Sequence, residues 1–475
     1  MFRSIANTLG NCFKIPELKS RIWFTLGLLA VCRLLAVIRI PGLNGAALSD
    51  FFTKHGGSGG IMGMYNTFAG GAFEHCAIGS LGIMPYISAT IILQLLTAVV
   101  PRLSKLAREE GGRTQIIKYG RYLTVLLCAG QGIYFAKQWL HPEAQFPGIG
   151  QLVLIENIFA YYFVTVTVMT AGTMLLMWLG EQITERGIGN GVSLVITIGI
   201  LSRLPNAVQG AIDMFSTHGG TTEATHHLAG TGVMLALLMV FVIGGVIAIT
   251  QAQRKIPVQY AQRAVGRKMY AGGTSFMPLR VNYAGVMPII FASSILMFPQ
   301  PMLTWLATNS EKIAWCKSWG LPLIGMTTSD VLHSLVVSFG YGSFLYLLIY
   351  SAMILFFSYF WVATQFNEIQ IADDLKKNGG YIPGVRPGTG TSDYLHHAMS
   401  RITLAGAIFL TIIATIPIIL GKQMQVPQAV AQFFGGTSIL IAVGVLLDTM
   451  RQVESHLMMR HYDGFLKKGK IRGRF

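Results

Sequence analysis

Apolar residues in this chain run in long unbroken stretches, not in the alternating or striped patterns of soluble strands and helices. Ten runs approach the roughly 20 residues a membrane-crossing helix needs. They are 22–40, 78–99, 119–139, 153–179, 188–204, 230–252, 282–304, 336–364, 402–420 and 433–449. The fifth and tenth are short, and each begins beside a glycine pair (Gly189 and Gly191; Gly435 and Gly436). That pattern suits a short or broken helix facing the centre of a bundle. Residues 56–71, GGSGGIMGMYNTFAGG, are too long for a hairpin and too interrupted to span. Non-helical backbone at membrane depth persists only when buried in protein or lining a cavity, so a re-entrant segment is predicted there.

The chain also repeats itself. Gly82–Leu93 is GIMPYISATIIL and Gly285–Leu296 is GVMPIIFASSIL, identical at seven of twelve positions. A weaker echo pairs Gly191, Ser193 and Ile196 with Gly436, Ser438 and Ile441. Two echoes in the same order imply a duplicated half, with a central pathway between the repeats. Lys and Arg number 28 on one set of alternating segments and 6 on the other, which places both termini in the cytoplasm. With an odd number of spans per half, the halves are inverted. The expected fold is an all-α polytopic membrane protein of ten transmembrane helices in two inverted five-helix halves. The N-terminal half is 1–204 and the external connection 205–229. The C-terminal half is 230–449, with cytoplasmic loops 253–280 and 365–401, and a basic cytoplasmic tail occupies 450–475.

Composition agrees. The chain has 475 residues, 52% hydrophobic and 12% charged, where soluble proteins carry about 25% charged residues. The net charge of +16 follows from cytoplasmic basic residues and does not by itself imply nucleic acid. The first apolar run is long enough to span, so no cleavable signal peptide is expected. Five scattered cysteines lack any metal-ligand or disulfide-framework spacing, so no metal and no cofactor are predicted.

Enzyme chemistry inside a membrane would need a nucleophile, metal ligands or paired acids at matching depth, and none is visible. The spans carry almost no ionisable groups; Arg33 is the clear exception, read as a packed or snorkelling side chain, with Glu156 and Asp448 near span ends. The predicted centre is apolar. Ile83 and Ile87 share a helix face, and symmetry adds Ile290, Val192, Ile196 and Ile441 to form an aliphatic ring. Hydrophobic constrictions of this kind gate by dewetting. The cytoplasmic loops interleave Arg254, Lys255, Arg263, Arg267 and Lys268 with Tyr260 and Tyr270, and frame Arg386 within GYIPGVRPG. Such loops suit phosphate backbones, anionic lipids or an acidic protein face, and a purely topogenic role accounts for their sign though not their length.

Several stretches resemble the SecY family, central subunits of protein-conducting Sec translocons. They are GIMPYISATIILQLL, LGEQITERGIGNGVSL, NYAGVMPIIFASSILMFP, ADDLKKNGGYIPGVRPG and FGGTSILI, collinear over essentially the whole chain. The resemblance implies a clamshell with an external plug and a lateral gate facing lipid. Its pore ring falls on Ile83, Ile87, Val192, Ile196, Ile290 and Ile441. The plug falls on about 61–74, with Ile61, Met62, Met64, Phe68 and Phe73. The gate lies between the helices at 78–99 and 282–304, with Ser88, Ile91, Ile92, Phe291, Ile295 and Phe298. Arg267, Lys268 and Arg386 would meet a SecA-like motor ATPase or the ribosome (rRNA and protein at the exit site). Other implied partners are SecE-like and SecG-like small membrane subunits, signal-sequence-bearing polypeptides and anionic lipids. Three features differ from the family pattern. Val192 stands where isoleucine is usual, Glu74 and His75 put ionisable groups at the plug's end, and residues 367–369 lack an expected proline.

The sequence thus predicts a protein-conducting channel of the cytoplasmic (inner) membrane, not an enzyme, that secretes unfolded polypeptides and inserts apolar segments sideways. No P-loop is present, so energy must come from a partner. An inverted-repeat secondary transporter of a small solute is the alternative, and a membrane-embedded enzyme ranks third.

Overall fold

The computed structural model describes residues 15–54, 61–109, 111–142, 149–215, 224–260, 263–265, 268–270, 273–296, 299–309, 328–423 and 437–468. They fall into two compact units. The first comprises the described residues up to Thr225 together with those from Val445 onward. The second runs from His226 and includes the start of the last helix as far as Gly444.

Helices in the first unit are α1 (Pro16–Leu35), α2 (Gly45–Lys54), α3 (Ile61–Phe68), α4 (Met84–Val99), α5 (Pro101–Arg108), α6 (Gly112–Leu140), α7 (Ile158–Arg186), α8 (Gly191–Leu201) and α9 (Leu204–Phe215). Prolines sit in the first turn of α1, α4 and α5, where the missing N–H would have had no intrahelical partner. Pro101 also holds Val100 extended (φ −91°, ψ 113°), so α4 ends and α5 leaves at 104° to it. α6 and α7 pack antiparallel. Arg121 Nη2 donates to Glu181 Oε2 at 2.8 Å at one end, and Tyr161 Oη donates to the Ala136 carbonyl at 2.9 Å near the other. Asn157 and Asn190 cap α7 and α8 with their side-chain oxygens.

The second unit holds most of α10 (Ala224–Gln251), β1 (Gln253–Tyr260), β2 (Arg263–Val265), β3 (Lys268–Tyr270), β4 (Thr274–Arg280), α11 (Met287–Leu296) and α12 (Pro299–Asn309). It continues with α13 (Thr328–Ser338), α14 (Phe344–Gln365), α15 (Glu368–Lys377), β5 (Gly380–Tyr381) and α16 (Thr389–Gln423). The last helix, α17, is Thr437–Lys468.

A helix lies in each of the ten apolar runs. Among the described residues, four helical stretches are long and apolar enough to cross a membrane: Ile158–Arg186, Gly191–Gly210, Phe344–Lys377 and Thr389–Leu420. The bent α4–α5 pair meets the same criteria jointly. The run at 282–304 contains two helices, α11 and α12, each opening on a proline-bearing turn. The tenth run extends well past 449, because α17 continues to Lys468.

Loops 253–280 and 365–401 are more ordered, among the described residues, than the sequence suggested. β1 pairs antiparallel with both β4 and β5, giving a three-stranded sheet in the order β4-β1-β5. Gln259 and Tyr260 face Tyr381 and Gly380, so strands from loops 253–280 and 365–401 share one sheet. Ile256, Leu279 and Ile382 bury one face of it against Val362 and Phe366 near the end of α14 and Leu395, Ala398 and Ile402 of α16. Where a proline was expected in 367–369, Asn367 accepts from Gln370 N–H at 3.2 Å and caps α15.

Candidate functional site: two elbows, a pinned segment and a sheet shared by two loops

The repeated sequence makes a repeated shape. Gly82 and Gly285 both adopt positive φ, +58° and +62°, which any side chain would resist. Each is followed two residues later by a helix whose second residue is proline (Met84-Pro85; Met287-Pro288). In the first unit this elbow delivers Ile83 and Ile87, both buried, and Ile196 is buried on α8. Val192 is half-buried. In the second unit the matching elbow delivers Ile290, which is 1% exposed, and Ile441 on α17 is 0% exposed. Each predicted ring residue therefore has its place within its own unit. α8 itself is fixed at its start, where Gly189 N–H donates to Gln452 Oε1 at 2.8 Å and Gly191 N–H to Thr184 Oγ1 at 2.9 Å.

The predicted plug is a short helix, α3, followed by an irregular return. The side chains of Ile61, Met62 and Met64 lie outside the described residues; Phe68 is buried. Phe73 is fully buried among Phe52, Tyr65, Phe135 and Trp139, with ring centroids 5.1–6.3 Å from its own. Tyr65 Oη donates to the Leu81 carbonyl at 3.0 Å. Charged groups hold the return; of these the sequence flagged Glu74 and Arg33 but not Arg203. Glu74 forms an ion pair with Arg203, just beyond α8. Asn66 Nδ2 donates to Glu74 Oε2 at 2.8 Å, and Glu74 N–H donates back to Asn66 Oδ1 at 3.2 Å. Arg33 Nη1 donates to the Gly70 carbonyl at 3.0 Å, so this arginine is packed, as expected. The pairing of residues 74 and 203 has no local sequence signature, since 129 positions separate them.

Of the predicted gate residues, Ser88 and Ile91 are buried on α4, and Ile92 is exposed on the same helix. Ser88 Oγ donates to the Met84 carbonyl at 3.1 Å. On α11, Phe291 packs edge-on against Phe357 and Trp361 of α14, centroids 5.7 and 5.4 Å away. Ile295 is half-buried. Phe298 lies outside the described residues, as do Arg267 and the side chain of Lys268. Arg386 is exposed, between Gly384 (φ +82°) and Gly388 (φ +95°). Its carbonyl accepts from Thr391 Oγ1 at 3.0 Å, and Thr391 is itself buried. The backbone is thus pinned while the guanidinium stays free to project.

A family model described as SecY matches residues 77–450. The protein translocase subunit SecY of Chlamydia muridarum is 41% identical over 475 residues, covering 98% of this chain and 99% of the relative. That of Thermotoga maritima is 39% identical, with 98% of each chain covered. That of Escherichia coli K12 is 40% identical, covering 97% of this chain and 96% of the relative. Among solved structures, a protein-conducting channel superposes with a TM-score of 0.55 at 18% identity, over 92% of this chain and 91% of that one. The Sec61 channel of a canine ribosome–channel complex gives 0.52 at 17% identity, with the same coverage.

Proposed function

The chain belongs to the SecY family, and on that premise we propose that it conducts unfolded polypeptide across, and apolar segments sideways into, the cytoplasmic membrane. It is a channel subunit of a protein translocase. The observation that carries the reading of its working parts is the pair of Gly-x-Met-Pro elbows, each setting a buried isoleucine early in an apolar helix. In this reading Ile83, Ile87, Val192, Ile196, Ile290 and Ile441 form a dry constriction that deforms around the passing chain. Residues 61–74 plug it from outside, and α4 and α11 part to release apolar segments into lipid.

The two halves, 1–204 and 230–449, act as the jaws. The sequence holds no P-loop, so a SecA-like motor or a translating ribosome supplies the work. Small SecE- and SecG-like subunits complete the assembly. Relatives solved on ribosomes, in the canine endoplasmic-reticulum complex and the yeast Ssh1 complex, support the ribosomal partner. Arg386 and the sheet that joins the two basic loops form the docking face. In this reading both termini lie in the cytoplasm, the side to which the 28-to-6 bias of basic residues points. The small-solute transporter reading finds no support among the relatives, and the spans lack the midplane acids that coupling to ions usually needs.

Reconstitution tests the function. Proteoliposomes containing this chain, its small subunits and a motor ATPase should protect a signal-bearing precursor from added protease only when ATP is present. Ion-driven uptake of a small solute without precursor protection would overturn the reading. Orientation has its own test: a reporter fused after Lys377 should behave as cytoplasmic and one after Lys422 as external.

A further inference from the structure

The return that follows α3 is held by charge on two sides. Glu74 is 13% exposed and Arg203 17% exposed, so their ion pair is largely withdrawn from water. Asn66 orients the carboxylate from below, through one bond to its side chain and one from the Glu74 amide. His75 Nε2 stands 3.7 Å from the other carboxylate oxygen. Earlier in the same return, the Gly70 carbonyl accepts from Arg33. Ser202 Oγ lies 3.4 Å from that carbonyl and 2.7 Å from the Gly199 carbonyl.

Gly70 and Gly199 meet backbone to backbone: a Cβ built on Gly70 would stand 2.8 Å from the Gly199 Cα. Gly199, Ser202 and Arg203 close the helical run that also carries Val192 and Ile196. Ile196 and Arg203 are seven residues apart in sequence, about 10 Å along that run. Arg203 engages Glu74 through Nη2 alone, and its Nε is buried without a hydrogen-bond partner among the described residues. A one-point contact is weaker than the two-point fork an arginine can make with a carboxylate, which suits an interaction that must open.

We propose that Glu74 and Arg203, with Arg33 on the Gly70 carbonyl, are positioning residues that latch the re-entrant segment to the end of α8, so that plug and constriction helix stay together until the ion pair breaks. This rests on the plug assignment proposed above. Because the pair is desolvated, removing one partner strands a buried charge, whereas removing both does not. The pair therefore makes a non-additive signature, and reading it in the resting conductance of assembled complexes, not in assembly itself, separates a latch from a merely structural contact.

The test is the closed-state ion conductance of the assembled complex in planar bilayers. The variants are Glu74→Gln, Arg203→Gln, the double variant, Arg203→Lys, and a deletion of residues 61–68. Each single Gln variant should raise the resting open probability about tenfold or more, as expected for loss of a charged hydrogen bond. The double variant should leak less than either single one, and Arg203→Lys, which keeps the charge, should stay near the parent. The deletion should leak as well. If the deletion leaks while the Gln variants match the parent, or their effects simply add, the latch is wrong and the plug assignment stands. If the deletion stays sealed, the plug assignment fails and the latch with it. Should the Gln variants not assemble, Glu74→Cys with Arg203→Cys in a chain without its native cysteines decides: crosslinked, the pair should seal the channel and block transport, and released it should leak, whereas a crosslinked complex that still transports overturns the latch.

Discussion

Gly82 and Gly285 hold the same left-handed backbone conformation, each three residues ahead of the proline that opens an apolar helix. The repeat seen in the sequence is therefore a repeat of local geometry. A Cβ on Gly82 would stand 3.3 Å from the Ala69 Cα, so the position is crowded as well as left-handed. Gly82→Ala should cost about 1–2 kcal/mol for its backbone conformation alone, lowering the thermal midpoint of the purified complex. Gly285→Ala should do the same. An unchanged midpoint in both would mean that the elbow can relax without its glycine.

Phe73 tests a different property of the same region. Its ring is fully enclosed by four other aromatic rings, so Phe73→Ala should destabilise by about 3–5 kcal/mol. Thermal unfolding of the complex would register this as a large fall in midpoint, whereas Phe73→Leu should fall less. A near-normal midpoint for Phe73→Ala would show that the cluster does not anchor the segment.

Arg386 is an exposed guanidinium on a pinned backbone, framed by two glycines at positive φ. Arg386→Glu should block secretion of signal-bearing precursors while leaving assembly with the small subunits intact. The expected loss is at least tenfold in translocation rate, because a docking cation becomes a repelling anion. Arg267→Glu with Lys268→Glu should give a related defect, separable by its effect on motor binding. Normal secretion in the Arg386 variant would reduce the residue to a topological charge.

How much of this was legible in the chain depends on the length scale of the signal. The apolar runs and the Gly-x-Met-Pro echo are local, and a helix appears in every run. The shared sheet was not foreseen, because β5 contributes only Gly380 and Tyr381 and its partner strand is more than a hundred residues away. The alternation of buried Ile256 and Val258 in β1 was the available clue. The Glu74–Arg203 pair was invisible for the same reason: the sequence flagged Glu74 at the end of the re-entrant segment, but Arg203 lies 129 positions away and drew no notice. α17 outran its apolar run because amphipathic packing took over from hydropathy: Val453 and Leu457 join Leu18 and Ile188 in a small cluster.

The proposed constriction depends on dryness. Ile87 is 3% exposed and Ile441 is 0% exposed. Ile87→Asn or Ile441→Asn puts a polar amide where dewetting is required. Recordings from resting complexes should show brief openings that the parent lacks, while Ile→Leu at the same positions should be quiet. Parental conductance in both Asn variants would remove these side chains from the pore.

The lateral gate is the sharpest of these expectations. α4 begins at Met84 and α11 at Met287, and inverted halves would run them in opposite directions, so residues after Ile87 and after Ile290 diverge in depth. A cysteine at Ser88, with the five native cysteines replaced, should be scanned against positions from Phe291 to Phe298. Phe291 starts out held by Phe357 and Trp361 of its own unit, so a cysteine there should be less productive than those further along the helix. At about 1.5 Å per residue, Leu296 at the end of α11 lies roughly 8 Å beyond Phe291, a distance that helix tilt can partly close. At least one pair should crosslink with a short reagent, and locking it should stop both secretion and membrane insertion. A longer flexible crosslinker at the same pair should restore transport, because the helices need only part by the width of a chain. If every pair that crosslinks leaves transport unimpaired, these helices are not the gate, and the repeated elbow reports shared ancestry of the halves and nothing about where substrates leave.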